Sequence, residues 1–563
     1  MSAPAGSSGI AKLRGSCARA FRRLKVRWIL EAVGATLILL FPVLEPLLTP
    51  GYRFVYHHHL PLTHLMDGIL LDVCGLSAAG VVGLVFLPRV PGKLRGMAGG
   101  LFVGLLIWAV AYDAITLAVN WSWRNLSEAP QPSLLSATEV WWHRWSFRVV
   151  VALPLLIAAL ALIRPKIGGL IVRATRFGLA LAAFCALWVI PELVYLDLRA
   201  HETMPVAAAT GEAEPVKGER IVWVLLDELS YQLTVGQRPP GQDFPNLRKL
   251  HEESISFGNL EPAGNFTDLI IPSVLARHRI RQFRSTPEGR LLYLDYGQKE
   301  WAAYDAGRSL FAVAHDSGWN PGVVGWDIPY CRIFQGSLAR CFWEPGVGNE
   351  LPFEPWAADR DSAFSYALAV PRAFIAQVRS RRRASERRLE GMIADDRGLI
   401  RQAQGMLEDE RVHFVFLHLP VPHPPGVYDR RTHQMCACGN YLDNLTMADD
   451  TLGVLMREIG QTTLAARTTV IVSSDHSWRV SLWKASPYWT AEEGRVSQGR
   501  FDPRPVFMIH FAGQKSGSEV MAPLPELVEY DVIAGMLEGK IRGPQDIEAL
   551  VQSPSEVASL ARR

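Results

Sequence analysis

Two runs of apolar residues in this chain each stop at a pair of side chains that could bind a metal ion. The run Ile221–Leu226 stops at Asp227 and Glu228, and a later run stops at Asp475 and His476. Continuous apolar runs of this length are typical of strands buried in a parallel sheet. Ligands of such sheets bind at the carboxyl ends of the strands. The two runs therefore predict a metal site at one sheet edge.

A hydroxyl group that could act as a nucleophile lies between these two runs, in the segment 264–275. Either Asn265 or Thr267 suits the N-cap of the apolar helix that follows. The unpaired N–H groups and the positive dipole end of a helix N-terminus favour an alkoxide or a phosphate oxygen. Because a metal ion lowers the pKa of a bound hydroxyl, Thr267 becomes a candidate nucleophile. A plain helix cap is the alternative.

A histidine follows another predicted strand, His413–Leu419, in a proline-rich turn. The prolines stiffen the turn and hold His423 at the sheet edge, where its imidazole could donate to a phosphoryl oxygen or protonate a leaving group. His418 lies within the strand, and we expect it to be an ordinary core residue.

The N-terminal part of the chain is hydrophobic enough to enter a membrane. Apolar segments of about the length that crosses a bilayer are Trp28–Leu48, Gly68–Leu87, Met97–Val119, Phe147–Ile163 and Gly178–Leu196. Charged residues, Trp and Tyr flank them, as interfacial anchors do. We therefore expect a transmembrane domain of five helices over residues 28–198.

The placement of Lys and Arg predicts the orientation of these helices. Residues 1–27 form a basic arm, and alternate loops are poorer in Lys and Arg. The positive-inside rule then puts the N-terminus in the cytoplasm of a multi-pass protein of the inner or plasma membrane, with the C-terminal domain on the periplasmic or extracellular side. His57, His58 and His59 lie in a loop expected on that outer side. We expect an interfacial polar loop, with a metal site as the alternative.

The remainder of the 563 residues divides into a linker and a second domain. Residues 199–218 have no apolar period and are predicted to be a linker. From residue 219 to 563, short β-rich runs alternate with helical stretches, which predicts an α/β domain with a mostly parallel, helix-covered sheet. The net charge of +3 gives no indication of nucleic-acid binding, and we expect none.

Four cysteines fall in the domain expected outside the cell, where disulfides persist. They are Cys331, Cys341, Cys436 and Cys438. Pairing Cys331 with Cys341 is the simplest of the three possible arrangements, but the sequence does not decide between them.

The order of these motifs resembles the alkaline phosphatase superfamily, in particular its sulfatase-like branch with the membrane-bound phosphoethanolamine and phosphoglycerol transferases. The similar motifs are the strand with Asp227-Glu228, Asn265-Phe-Thr-Asp-x-x-x-Pro-Ser273, Pro422-His-Pro-Pro425 and Ser473-Ser-Asp-His476. The resemblance extends from about residue 220 to 514, and the anchor resembles that of the transferases.

The resemblance implies one divalent metal ion, expected to be Zn or Mn rather than Mg or Ca. Its ligands would be Thr267, Asp475, His476 and the pair Asp227 and Glu228, of which the sequence does not say which binds.

The resemblance also implies a reaction. Thr267 would attack a phospholipid donor and pass its head group to an envelope glycan or lipid through a phosphoryl-threonine. His423 would take part in catalysis and substrate binding, and Lys484 would bind substrate.

Two other functions remain open at this point. A membrane-anchored sulfatase-like hydrolase would use water as the acceptor, and a non-catalytic scaffold would keep the fold alone. Thr267 lacks the Cys/Ser-x-Pro-x-Arg setting of a formylglycine sulfatase, and Ser477 stands where Asp-His-Gly is usual. No histidine lies between His476 and Arg504, which leaves a second metal ion without an obvious ligand.

Overall fold

The computed structural model describes residues 25–49, 51–59, 62–86, 165–200, 218–346 and 381–552, except 297, 485 and 487, with isolated positions between 91 and 159 and between 362 and 369.

The N-terminal part of the chain is helical where the structure describes it. Its helices are α1 (Val26–Leu39), α2 (Phe41–Leu48), α3 (Arg53–His57), α4 (Thr63–Phe86), α5 (Pro165–Ala182) and α6 (Ala186–Ala200). A single 3₁₀ turn joins α5 to α6. Two stretches of the described residues are long and apolar enough to cross a membrane, Thr63–Phe86 with 24 residues and Lys166–Arg199 with 34. This test rests on length and composition alone.

The structure bears only partly on the five predicted membrane segments. The first segment divides at Leu40 into α1 and α2, because a proline in the first turn of α2 lacks the N–H that would continue the helix. The second and fifth segments coincide with α4 and with the stretch formed by α5 and α6. The third and fourth lie mostly outside the described residues, so the number five and the topology stay predictions.

The α/β domain begins at β1. Its strands are β1 (Arg220–Leu226), β2 (Ile255–Phe257), β3 (Leu260–Glu261), β4 (Ile280–Ser285), β5 (Leu291–Asp295), β6 (Ala302–Ala303), β7 (Pro321–Trp326), β8 (Arg340–Glu344), β9 (Phe414–Leu419), β10 (Tyr428–Asp429), β11 (Gln434–Met435), β12 (Thr468–Ser473), β13 (Phe507–His510), β14 (Ser518–Val520) and β15 (Leu524–Pro525). Its helices are α7 (Pro245–Glu252), α8 (Thr267–Ala276), α9 (Leu310–Asp316), α10 (Tyr330–Ile333), α11 (Arg381–Glu408), α12 (Tyr441–Gln461), α13 (Val480–Trp483), α14 (Ala491–Ser497), α15 (Val528–Leu537) and α16 (Pro544–Gln552).

The main sheet has eight strands in the order β14-β2-β13-β12-β1-β9-β7-β8. β1 pairs in parallel with β12 on one side and with β9 on the other. β13 runs antiparallel to both of its neighbours. The predicted strands Ile221–Leu226 and His413–Leu419 correspond to β1 and β9 of this sheet, and the prediction of a mostly parallel sheet is confirmed.

Helices cover both faces of the sheet, as the apolar runs predicted. Along β1, Ile221, Trp223 and Leu225 enter the core that contains α8 and α15. The alternate residues of β1 enter the opposite core, which contains α11 and α12. Because β12, β1, β9 and β7 are neighbours and parallel, the residues that follow them meet at one edge.

Two disulfides lie in this domain, Cys331–Cys341 and Cys436–Cys438. The first joins α10 to β8 and the second closes a short loop before α12. They are the pairing that the sequence suggested as simplest but left undecided.

The segment between α2 and α4 packs into the α/β domain. Tyr56 of α3 is fully buried in the core of that domain, with its ring centroid 4.9 Å from that of Phe283. The Arg332 guanidinium donates to the backbone carbonyl oxygens of Tyr56 and His58, the latter at 3.0 Å. His57 is buried and His58 partly buried in this contact, whereas His59 is exposed, and the position of this loop at a membrane interface stays a prediction.

We predict that Tyr56→Ala loosens the contact between the membrane helices and the α/β domain. Removing a fully buried aromatic side chain costs about 3–5 kcal/mol. We expect a lower unfolding temperature of the detergent-solubilised protein and faster proteolysis between the two parts. The control is Tyr296→Ala, whose side chain is 50% exposed, and which should change stability by less than about 0.5 kcal/mol. Equal stability of the two variants would contradict the packing of α3.

Candidate metal centre and nucleophile

Four of the residues singled out from the sequence converge on a small buried space at the sheet edge. The Thr267 hydroxyl donates to Oδ2 of Asp475 at 2.7 Å. The same Oγ1 lies 3.5 Å from Asp227 Oδ2 and 3.5 Å from His476 Nε2. All four side chains are buried, although some 208 residues separate Thr267 from Asp475.

The ends of β1 and β12 explain why these groups meet. The two strands are in register, with Leu225 opposite Ser473, so Asp227 and Asp475 emerge next to each other. Oδ1 of Asp475 accepts the backbone N–H groups of Glu228 at 3.1 Å and His476 at 2.9 Å. These two bonds fix the carboxylate and leave Oδ2 facing Thr267.

The Thr267 hydroxyl does not cap its helix. Phe266 occupies the N-cap position with extended backbone and no side-chain cap bond, and Thr267 is the first residue of α8. The expectation that Asn265 or Thr267 caps the helix was therefore wrong. Thr267 lies one position past the N-cap, and its hydroxyl instead donates to the Asp475 carboxylate, a charged acceptor that makes a strong hydrogen bond.

The two carboxylates cannot both stay ionised here without compensation. Burial and the charge of Asp475 raise the pKa of Asp227 well above its usual value. Burial acts on Asp475 too, but His476 and the bond from Thr267 outweigh it and lower the pKa of Asp475. When two carboxylates share one buried site, the repulsion between their charges favours ionisation of only one of them. A cation between them would let both ionise.

The donor atoms suit a divalent metal ion. The Nδ1 atom of His476 lies 3.0 Å from the Ser477 carbonyl oxygen, to which it must donate, so the Nε2 lone pair faces Asp475 Oδ2 at 3.2 Å. Burial and the nearby Arg479 also lower the pKa of His476, which keeps the ring neutral. Oδ1 of Asp227 is buried and, within the described residues, has no hydrogen-bond partner. The Nε2 lone pair and the carboxylate oxygens repel each other unless a cation lies between them. Asp227, Asp475 and His476 form a set that could hold such a cation.

Glu228 follows Asp227 directly but faces another direction. Its backbone takes a positive φ of 66°, a strained conformation for a residue with a Cβ. Its carboxylate accepts from the Arg479 backbone N–H and from Trp483 Nε1, each at 2.8 Å. Burial would raise the pKa of Glu228, but Arg479 and His423 lower it. Glu228 therefore lies in an ion pair beside the metal-binding group.

His423 lies next to this ion pair rather than next to Thr267. Its Nε2 atom is 3.7 Å from Glu228 Oε2, and its ring packs against Trp326 and Trp483. Burial lowers the pKa of His423 to about 4, so the ring is neutral at neutral pH. A neutral ring can accept or donate one hydrogen bond but is a weak acid for a leaving group. Lys484, directly after α13, is exposed, and within the described part of the chain no hydrogen bond or ion pair joins its side chain to the site.

Two contributors to the site were not identified from the sequence. His418 is buried as expected, but its Nε2 lies 3.6 Å from Asp227 Oδ2 while Nδ1 contacts the Tyr330 hydroxyl at 2.9 Å. The sequence signal was its place in β9 one residue before the strand ends. Arg479 lies three residues after His476, and its contact with Glu228 depends on the tertiary structure.

The helix that carries Thr267 is also held by α3. Asp268, the residue after Thr267, forms ion pairs with Arg53 and with His57, whose Nε2 lies 3.3 Å from Oδ1. Nδ1 of His57 lies 3.5 Å from Asp327, the residue that follows β7. Burial alone would lower the pKa of His57, but the two carboxylates raise it. These charges attach the start of α8 to α3 in the N-terminal helical part of the chain.

Comparison with known proteins gives a weak likeness to solved structures. No family model matches, and no curated protein matches. The Ps i-CgsB complex with k-i-k-neocarrahexaose is 14% identical, with 59% of this chain and 74% of that chain covered and a TM-score of 0.39. The PsFucS1 sulfatase from Pseudoalteromonas sp. is 15% identical, with 58% and 69% covered and a TM-score of 0.37. The phosphonate monoester hydrolase from Silicibacter pomeroyi is 13% identical, with 57% and 73% covered and a TM-score of 0.34. Likeness at this level says nothing about which reaction the chain carries out.

We predict that His476→Ala removes bound metal without unfolding the protein. The wild-type protein should hold about one equivalent of a divalent ion per chain. Loss of a direct ligand should cost more than the roughly 10- to 100-fold in affinity that loss of an outer partner costs. Elemental analysis of protein dialysed against buffered Zn²⁺ or Mn²⁺ measures this. The control is His433→Ala, which removes an exposed imidazole that pairs with Asp450. Metal content equal in both variants would exclude His476 as a ligand.

Proposed function

We propose that this chain is a metal-dependent phosphotransferase of the alkaline phosphatase kind that moves a phospholipid head group, of the phosphoethanolamine or phosphoglycerol type, to an envelope glycan or lipid. The observation that carries the proposal is the Thr267 hydroxyl bonded to Asp475 within a group that also contains Asp227 and His476. A hydroxyl at a helix N-terminus beside buried metal ligands is arranged for nucleophilic attack on a phosphodiester.

The residues that would hold the ion are Asp227, Thr267, Asp475 and His476. When bound, a divalent ion lowers the pKa of the hydroxyl and neutralises charge on the phosphoryl oxygens. Glu228 is left out of this set because Arg479 and Trp483 engage its carboxylate. The imidazole nitrogen among the ligands favours Zn or Mn over Mg or Ca.

The proposed reaction has two displacement steps. Thr267 Oγ1 attacks the phosphorus of the donor, and its proton passes to the Asp475 carboxylate. The bond from phosphorus to the diacylglycerol oxygen breaks, and that oxygen leaves with the electron pair and takes a proton from solvent. The head group then remains on Thr267 as a phosphodiester. In the second step an acceptor hydroxyl attacks the same phosphorus and loses its proton to solvent, the bond to Oγ1 breaks, and Oγ1 takes its proton back from Asp475. The N–H groups of Thr267 and Asp268, which precede the first helical bond from Leu269 to the Phe266 carbonyl oxygen, would stabilise the charged oxygens.

The position of the site supports a donor that resides in the membrane. α3 lies between α2 and α4 in the chain and contacts Asp268, the neighbour of Thr267. The nucleophile is thus tied to a short segment between apolar helices, within reach of lipid head groups. The proposed location is the outer side of the inner or plasma membrane, with the domain limits expected from the sequence.

Two other functions use the same fold. In a hydrolase, water would replace the acceptor in the second step and free head group would be released. In a non-catalytic scaffold no reaction would occur, and the buried donor atoms around Thr267 argue against it, since unpaired buried carboxylates are costly to keep.

We predict that Thr267→Ala abolishes turnover, by roughly 10⁴-fold or more, because no other group can form the covalent intermediate. The assay uses labelled phospholipid in mixed micelles with the full-length protein, and the products are diacylglycerol and labelled acceptor. Mass spectrometry of peptides from the digested wild-type protein should show the head-group phosphate on the peptide that contains Thr267. The matched control is Thr432→Ala, an exposed threonine in a remote loop, which should keep wild-type activity.

The outcomes separate the three functions. Release of free head group at the same rate with and without acceptor indicates the hydrolase. Wild-type activity in Thr267→Ala excludes the nucleophile assignment. Metal-loaded protein that forms no product from any phospholipid or phosphodiester supports the scaffold.

A further inference from the structure

A second group of potential metal ligands adjoins the first. The ligand atoms of Asp227, Glu228 and His423 lie close enough together to hold an ion. The guanidinium of Arg479 already lies among them. Its Nε is 3.2 Å from Glu228 Oε1, and its Nη2 is 3.3 Å from Glu228 Oε2 and 3.4 Å from His423 Nε2. A side-chain cation therefore takes the place that a second ion would need.

The guanidinium is fixed from several directions. Its own backbone N–H donates to the carboxylate that the side chain pairs with, so Glu228 holds both ends of the residue. Nη1 reaches the backbone oxygen of Asn265 at 3.4 Å, two residues before Thr267. The plane also lies over the ring of Phe266, 5.8 Å from its centroid. Arg479 thus bridges the end of β1 and the loop that carries the nucleophile.

Both members of the ion pair keep their charge. Burial would lower the pKa of Arg479, but Glu228 and the further carboxylates Asp227 and Asp475 raise it. The side chain is 14% exposed, and its contact with Asn265 lies on the exposed side. A guanidinium has five N–H donors in a planar fork, and Glu228, His423 and Asn265 use at most four of them. At least one Nη1 N–H group therefore remains to donate a hydrogen bond to a ligand bound at Thr267.

We propose that Arg479 is the second positive charge of this site, which binds a non-bridging oxygen of the phosphoryl group and keeps a second metal ion out. The inference rests on the proposed function in assuming a phosphoryl substrate at Thr267. Arginine suits this task because its fork matches the tetrahedral oxygens of phosphate and its charge does not depend on pH. Glu228, the acid that the sequence suggested as a metal ligand, then serves to position Arg479.

The test measures oxyanion binding and metal content, not activity. Full-length, metal-loaded protein in detergent is titrated with inorganic phosphate and with orthovanadate by calorimetry. Arg479→Ala should weaken binding roughly 10- to 100-fold, as loss of a charge-assisted hydrogen bond does. Arg479→Lys should recover part of the loss, because it keeps the charge without the fork. The control is Arg504→Ala, which removes an arginine paired with Asp502 and packed over Tyr231.

Removal of Arg479 leaves Glu228 buried and unpaired, so folding needs its own control. The double variant Glu228→Gln with Arg479→Met removes both charges and should restore the unfolding temperature while phosphate binding stays weak. Weaker phosphate binding together with a second equivalent of metal in Arg479→Ala supports the proposal, whereas unchanged metal content in this variant would refute the exclusion of a second ion. Phosphate binding equal to wild type in Arg479→Ala and in the double variant would overturn it. Wild-type protein that binds neither metal nor phosphate would instead refute the proposed function.

Discussion

The structure depends on the placement of two carboxylates, Asp227 and Asp475, in one fully buried space. Adjacent parallel strands force the two groups together, because their carboxyl ends are in register. Two negative charges at this depth are unfavourable unless a cation or a proton lies between them. The neighbouring side chains reduce the repulsion between the two carboxylates. His476 presents a neutral ring with its lone pair inward, and the Thr267 hydroxyl donates a hydrogen bond to Asp475. The arrangement that reduces the charge repulsion thus also holds the candidate nucleophile beside the carboxylates.

Asp227 and Glu228 are adjacent in the chain, but their carboxylates contact different partners. Asp227 continues the direction of β1 and enters the buried space, whereas the left-handed backbone of Glu228 turns its carboxylate towards Arg479. The strain of that backbone conformation is compensated by the hydrogen bonds that Glu228 accepts from Arg479 and Trp483. The group of Asp227, Asp475 and His476, which could hold a cation, therefore lies beside the guanidinium that compensates the charge of Glu228.

The contact between α3 and the start of α8 links the N-terminal helices to the site around Thr267. Tyr56 is part of the core of the α/β domain, and His57 lies between Asp268 and Asp327. The two ion pairs of His57 are buried, so they are less screened by salt than surface pairs are. The N-terminal helices are thus part of the surroundings of the site, since the residue next to Thr267 has charge partners in α3.

The sequence by itself determined the sheet and most of its site, because both follow from local patterns. Buried strands appear as continuous apolar runs, and parallel strands bring whatever follows them to one edge, so Asp227, Asp475 and His476 could be placed together before any coordinates. Only the tertiary structure placed Asp227 beside Asp475 and paired Glu228 with Arg479, gave the Thr267 hydroxyl the Asp475 carboxylate as its acceptor, and placed His57 between Asp268 and Asp327. Arg479 and His418 were missed for the same reason. Side-chain direction and charge pairing between segments hundreds of residues apart depend on packing and burial, which no local pattern encodes.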